Sequence, residues 1–148
     1  MNSNLAYLLS DSGRLLRRMF DLRVRSLGLT SVQARLLLGM VKFPNENQAF
    51  YAERLEVEPI TLTRIVDRLE NAGWVERLVD PKDRRARILH LTDKSLEIVE
   101  SLRGIVDAMV DDMTDGLDDA ERETLSGLLE RVSANLAAER CAKETVYG

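Results

Sequence analysis

Residues 74–92 read WVERLVDPKDRRARILHLT, and this stretch decides the fold. Apolar and polar side chains alternate over Trp74–Val79 and again over Arg87–Leu91, which predicts two short strands. The residues between these strands include Lys82, Arg84 and Arg85. Since nearly all of the remaining sequence has helical periodicity, we interpret the hairpin as a wing, a charged ribbon that a small helical core holds out toward an anionic partner.

The rest of the chain predicts helices with recognisable ends. Thr30 followed by Gln33 has the spacing of a capping box. Pro59 suits the first position of a helix, because its missing N–H would have no partner there. The predicted helices are Asn4–Leu27, a second one capped by Thr30, Gln48–Leu55, Pro59–Ala72, and two more capped by Thr92 and Asp118. The expected fold class is mainly α with a small two- or three-stranded β wing.

The composition favours a globular protein with a sizeable core. Of 148 residues, 45% are apolar and 31% are charged, which is typical of folded domains. No apolar run approaches the roughly 20 residues that a membrane-spanning helix needs, and the N-terminus lacks the features of a signal peptide. Cys141 is the only cysteine, which excludes an intrachain disulfide and favours a cytoplasmic location.

No catalytic or metal-binding constellation is found in the sequence. His90 is the only histidine, and transition-metal sites need several such ligands. The sequence has no phosphate-binding glycine loop, nucleophile elbow or dinucleotide fingerprint, so we expect neither an enzyme nor a cofactor. We expect no redox-sensor role for Cys141, because little in its sequence neighbourhood favours a thiolate.

Charge is segregated along the chain, so the net charge of −4 does not describe the hairpin. Further arginines crowd the first helix, whereas acidic residues are concentrated over 107–123. A local basic surface can bind phosphates while acidic surface elsewhere sets the total. The cations of the hairpin are Arg77, Lys82, Arg84, Arg85 and Arg87.

The helix before the hairpin has one buried and one outward face. Its apolar stripe consists of Leu62, Ile65, Val66 and Leu69. Ile60 and Arg64 point the opposite way, and solvent alone gives an isoleucine no reason to lie there. Arg64 can make a bidentate contact with guanine, and Ile60 can cover a thymine methyl. The predicted DNA contacts of this helix are Ile60, Thr61, Thr63, Arg64 and Arg68.

Two interpretations of these surfaces stay open from the residues alone. The outward face of the helix and the tip of the hairpin can both be ordinary solvated surface. In the DNA interpretation, all five cations of the hairpin, Arg77 included, contact DNA. The tip follows a phosphate backbone or enters a minor groove, and Asp83 braces it by a charge-assisted hydrogen bond to an arginine. The alternative function is that of a winged helix that binds a protein instead of DNA.

The chain resembles the MarR family of bacterial transcription regulators over nearly its whole length. The resemblance is strongest in Leu69–Arg77, in Asp83–Arg87 and at Leu91-Thr92. Pro59–Arg64 and Arg14–Leu29 look closest to the SlyA-like branch of that family. The resemblance implies a winged helix-turn-helix fold and a homodimer on a palindromic operator of double-stranded DNA.

Further roles follow from the resemblance as expectations. Arg64 would read bases in the major groove, and Arg84 or Arg85 would enter the minor groove. Residues 1–28 and 93–148 would form a helical dimerisation region around a DNA-binding lobe at residues 29–92. Dimerisation also has a physical argument, because the amphipathic helices at the chain ends have no obvious partner within so small a lobe.

The resemblance also implies an effector and a cellular location. Family members often respond to small aromatic acids, so we expect a repressor or a counter-silencer whose DNA affinity falls when such a molecule binds. Arginine suits planar carboxylates, which makes Arg14, Arg17 and Arg35 candidate effector ligands. The expected location is the bacterial cytoplasm, in association with the nucleoid.

Overall fold

The computed structural model describes the backbone of residues 3–147 and the side chains of residues 4–139. Its elements are α1 (Ser3–Val24), a 3-10 turn (Arg25–Leu27), α2 (Ser31–Lys42), α3 (Gln48–Leu55), α4 (Pro59–Asn71), β1 (Val75–Val79), β2 (Arg87–Leu91), a second 3-10 turn (Asp93–Ser95), α5 (Leu96–Met113) and α6 (Asp119–Tyr147). Within this range, no helix is long and apolar enough to cross a membrane. Cys141 lies outside the described side chains, so its lack of a redox role stays a prediction.

The helix ends follow the predicted caps. Thr30 Oγ1 accepts from the Gln33 N–H at 3.2 Å, and Gln33 Oε1 accepts from the Thr30 N–H at 3.0 Å, which confirms the capping box. Asp118 and Glu121 form the same reciprocal pair at the start of α6, at 2.8 and 3.1 Å. Gly73 follows α4 with a φ of 84°, a left-handed conformation that glycine adopts without strain.

The prediction that the Thr92 side chain caps the following helix is wrong. Its hydroxyl donates to the Gly73 carbonyl at 2.5 Å, and its N–H donates to the Trp74 carbonyl at 3.0 Å. The residue therefore ties the base of the wing to the end of α4. The turn Asp93–Ser95 separates Thr92 from α5, which begins at Leu96.

The wing is a two-stranded antiparallel sheet that touches a third segment. The paired residues run from Val75 and Leu91 to Val79 and Arg87. The loop before α3 adds an isolated bridge between Asn47 and Ile88, and the Leu89 N–H donates to the Glu46 carbonyl at 3.0 Å. The predicted fold class is confirmed, with the third strand reduced to this bridge.

Tyr51 fixes the loop that touches the wing. Its hydroxyl donates to the Phe43 carbonyl and accepts from the Glu46 N–H at 3.2 Å. The side chain is fully buried, and this burial raises the pKa of the Tyr51 hydroxyl above its ordinary value of 10.0. A buried side chain thus holds the segment that supports β2.

The chain forms two compact units, Met1–Met109 and Val110–Gly148. The core of the first unit receives side chains from the C-terminal part of α1, from α2, α3 and α4, and from both strands. The whole predicted stripe of α4 is buried there: Leu62, Ile65, Val66 and Leu69. The predicted division into a dimerisation region and a DNA-binding lobe concerns contacts with a second chain and with DNA, and it stays a prediction.

Two helices expose apolar stripes. The stripe of α1 consists of Leu5, Leu8, Leu15 and Leu22, and that of α6 consists of Leu125, Leu128, Leu129, Val132 and Leu136. Within each helix these residues recur at spacings of three, four or seven, so they share one face. Contiguous apolar surface of this kind marks an interaction site in a folded protein.

Candidate nucleic-acid interface

Helix α4 presents its outward face to solvent. Pro59 occupies the first turn, as predicted, and burial of the apolar stripe turns the opposite face outward. Ile60 is 64% exposed, and Arg64 is exposed one turn later. Thr61 and Arg68 are exposed beside them. The first turns of α4 therefore carry an apolar side chain and a cation on a surface that the protein leaves uncovered.

Thr63 has a more restricted position than the other candidates on α4. Its side chain is exposed, but its hydroxyl donates to the Pro59 carbonyl at 3.1 Å. The hydroxyl oxygen can still accept a hydrogen bond. Before the hydroxyl could donate to a phosphate, its hydrogen bond to Pro59 would have to break.

The tip of the wing is held by two aspartates that bind the backbone. Asp80 Oδ1 accepts from the Lys82 N–H at 2.9 Å, and Asp83 Oδ1 accepts from the Arg85 N–H at 3.0 Å. Asp83 thus braces the loop itself, whereas the sequence suggested that it orients an arginine side chain. Both carboxylates satisfy backbone donors at the turn.

Arg87 folds back over the tip. Its Nη1 donates to the Arg84 carbonyl at 3.0 Å and to the Ala86 carbonyl at 3.2 Å. The side chains of Lys82, Arg84 and Arg85 are exposed on the same loop. The wing therefore carries one cation that binds its own loop and three cations that project from it.

Arg77 differs from the other cations of the hairpin, because its side chain is only 19% exposed. The Nε atom donates to Gln48 Oε1 at 2.8 Å. The Nη1 atom donates to Glu70 Oε1 at 3.2 Å. The Nη2 atom donates to the Thr63 carbonyl at 3.1 Å and lies 2.7 Å from Asp67 Oδ1. All three nitrogens are engaged within the protein.

The sequence contained a signal for the inward position of Arg77. Side chains alternate between the two faces of a strand, so Arg77 shares its face with Val75. Val75 is buried, and Leu89, which stands opposite Arg77 in the sheet, is also buried. Strand parity therefore places Arg77 on the inner face of β1, although it does not reveal Gln48, Asp67 or Glu70 as partners.

The candidate effector ligands are divided between two helices. A cavity of about 480 Å³ borders α1 and is lined by Leu9, Ser10, Gly13, Arg14 and Arg17. Arg14 is paired there with Asp11, with Nη2 2.8 Å from the carboxylate. Arg17 is exposed, and Arg35 is partly buried on α2. The structure brings Arg14 and Arg17 to one cavity, while Arg35 belongs to another helix.

His90 makes one hydrogen bond and one longer contact at the base of the wing. Its Nδ1 lies 2.9 Å from Asn45 Oδ1, and its Nε2 lies 3.9 Å from Glu76 Oε1. Among the described residues, no group of three or more His, Cys, Asp or Glu side chains could hold a metal ion. The histidine is thus a contact between β2, β1 and the α2–α3 loop.

A short helix, an outward-facing second helix and a basic two-stranded wing define a winged helix-turn-helix protein. A sequence model of the MarR family matches residues 29–86. Transcriptional regulator PA3341 is 31% identical, with 90% of this chain and 98% of that chain covered and a TM-score of 0.78. A MarR protein from Peptoclostridium difficile is 27% identical, with coverages of 94% and 91% and a TM-score of 0.78. The chain belongs to the MarR family of transcription regulators.

One similar structure contains a nucleic acid. It is a mutant of MarR from E. coli, with serine in place of a cysteine, in complex with operator DNA. The two chains are 28% identical, the match covers 88% of this chain and 94% of the E. coli chain, and the TM-score is 0.70.

Proposed function

We propose that this transcription regulator binds double-stranded DNA as a homodimer, with α4 in the major groove and the wing at the neighbouring minor groove of each half-site. The observation that carries the proposal is the exposure of cations on two elements of one lobe. These are the face of α4 with Ile60 and Arg64, and the wing tip with Lys82, Arg84 and Arg85. A major groove about 12 Å wide admits one helix. The similar E. coli structure with operator DNA supports this use.

The dimer is supported by the exposed apolar stripes of α1 and α6. A second copy of the chain would cover the same surfaces on both partners, since a two-fold interface is built from one patch used twice. The α4 helices of the two protomers would then contact the two halves of a palindromic site. In this arrangement residues 1–28 and 93–148 form the dimerisation region, and residues 29–92 form the DNA-binding lobe.

Salt dependence tests DNA binding directly. If each protomer neutralises about three phosphates, the slope of log affinity against log salt concentration should be near −5, from about −0.9 for each phosphate. The probe is a duplex selected by the protein from a random pool, and fluorescence anisotropy measures its affinity from about 50 to 200 mM salt. A duplex affinity that does not change with salt would favour the competing function, a winged helix that binds a protein.

Two variants separate base reading from phosphate binding. Arg64→Ala should cost about 1–3 kcal/mol on the selected duplex and relax base preference, because Arg64 stands where a bidentate contact with guanine is possible. Lys82→Ala, the matched control at the wing tip, should weaken binding to every duplex and make the salt slope shallower. If Arg64→Ala weakens binding equally on all sequences, Arg64 is only a phosphate contact.

The cavity beside α1 supports a regulatory ligand with a planar carboxylate. Arg17 is an exposed guanidinium at this cavity, and such a group forms two parallel hydrogen bonds with a carboxylate. Arg14 would have to exchange its contact with Asp11 for the ligand. Benzoate should release the duplex, whereas neutral benzamide should not. Arg17→Gln should abolish the difference, and equal release by both compounds would exclude a carboxylate site.

The finer classification and the location are also proposals. The stretches Pro59–Arg64 and Arg14–Leu29 support membership of the SlyA-like branch. Binding to chromosomal DNA would place the protein in the bacterial cytoplasm, at the nucleoid.

A further inference from the structure

We infer that Arg77 is a positioning residue that holds the wing at a fixed angle to α4 and makes no contact with DNA. The inference rests on the proposed DNA-binding function. It also replaces the expectation that Arg77 is one of the cations that bind DNA. The two roles predict different results for the same variants.

The contacts of Arg77 join three elements. Gln48 opens α3, the Thr63 carbonyl lies in the N-terminal half of α4, and Glu70 lies near the C-terminal end of α4. A guanidinium group is planar and has its donors in fixed directions. One side chain from the middle of β1 therefore fixes both a distance and an orientation relative to α4.

The contacts at the base of the wing do not by themselves fix its tilt relative to α4. The chain passes from α4 to β1 through Gly73 in the left-handed conformation. Thr92 and Lys94 bind the carbonyls of Gly73 and Ala72, which secures the base of the wing. Arg77 adds an attachment further along β1, and a second attachment point prevents the strand pair from tilting about the Gly73 turn.

The carboxylates explain why a cation is tolerated in this partly buried position. Asp67 and Glu70 lie at 2.7 and 3.2 Å from the guanidinium nitrogens of Arg77. A buried charge is costly unless it is paired and hydrogen-bonded. A DNA phosphate would have to displace these partners, whereas Lys82 and the tip arginines are already exposed.

The first experiment uses a charge-preserving substitution. Arg77→Lys keeps the positive charge but cannot bridge α3 and α4 with one ammonium group. On the selected duplex we expect an affinity loss of about tenfold, within the range for residues of one ion-pair network. The salt slope and the affinity for a scrambled duplex should stay at wild-type values. If Arg77→Lys retains specific affinity while Arg77→Ala lowers the slope as Lys82→Ala does, Arg77 binds a phosphate and the inference is overturned.

The second experiment predicts opposite signs for the two roles. Asp67→Ala and Glu70→Ala remove negative charge from a helix that faces DNA, which by electrostatics alone strengthens binding to phosphates. If these carboxylates hold Arg77 in place, both variants should instead weaken binding to the selected duplex. Stronger binding by both variants would overturn the inference. Circular dichroism establishes the temperature at which every variant is fully folded, so that stability does not enter the comparison.

A measurement without DNA separates failure of this inference from failure of the proposed function. Amide hydrogen exchange in the free dimer should be faster over residues 60–70 and 75–79 in Arg77→Lys than in the wild type, because local opening of both elements becomes easier. Lys82→Arg, which changes only an exposed side chain, is the control and should leave these amides unchanged. Wild-type exchange rates in Arg77→Lys would overturn the inference whatever the DNA measurements give. Absence of salt-dependent binding by the wild type would refute the DNA function alone.

Discussion

Truncation of one leucine on the exposed stripe of α6 should weaken the proposed dimer by a predictable amount. Leu128 is 50% exposed in the single chain, so about half of its side chain remains for a partner to cover. Leu128→Ala removes three carbons, worth about 0.8 kcal/mol each on full burial, or about 1.2 kcal/mol for the half that a partner would cover. Alanine is the strongest helix former, so α6 itself should not be weakened.

Two-fold symmetry doubles this effect. Each substitution occurs twice in the interface, which gives about 2.4 kcal/mol and a dissociation constant raised about 50-fold. Sedimentation velocity over a concentration series measures this constant. The matched control is Leu78→Ala, since Leu78 is 43% exposed but lies in β1, within the DNA-binding lobe and outside the proposed dimerisation region. A wild-type protein that is monomeric at micromolar concentration, or equal effects of the two variants, would refute the reasoning.

Three further predictions concern stability, measured by urea unfolding. Tyr51→Phe should cost about 1–3 kcal/mol because two backbone groups lose their partner. Burial raises the folded-state pKa of Tyr51 above 10.0. The stability advantage of the wild type over Tyr51→Phe should therefore be complete below about pH 10 and shrink as the pH rises further. An advantage that stays constant at higher pH would contradict this. Thr30→Ala should cost about 1 kcal/mol by removing the capping box, and no loss would show that Gln33 suffices. Gly73→Ala should destabilise by about 1–2 kcal/mol, whereas Gly39→Ala, in a helix with open space around it, should not; equal effects would exclude strain at Gly73.

The elements that sequence reasoning predicted well are those with local signals. The capping box at Thr30, the proline at the start of α4 and the glycine after it each act within a few residues. The apolar stripe of α4 fixed which side chains point outward, and Ile60 and Arg64 are exposed as that stripe requires. Periodicity and caps are properties of one segment, so a single segment is enough to detect them.

The details that sequence reasoning missed depend on partners that compete for one side chain. Thr92 has the residue type of a helix cap, but its hydroxyl binds Gly73, 19 residues earlier. Asp83 has arginines beside it, but it accepts a backbone N–H within its own loop. In both cases a polar side chain had several possible partners, and the conformation of the folded wing decided between them.

The pairing of Arg77 also explains why acidic residues are present on a helix that is proposed to face DNA. Asp67 and Glu70 are both more than 40% exposed, and unpaired carboxylates there would repel phosphates. The guanidinium group of Arg77 neutralises part of this charge at short range and uses the same contacts to attach the wing. Removal of either partner therefore has two consequences, a looser wing and a changed surface charge. For Asp67 and Glu70 these two consequences act in opposite directions: a looser wing weakens binding to the selected duplex, whereas the loss of negative charge strengthens it. The sign of the measured change in affinity is therefore more informative than its size.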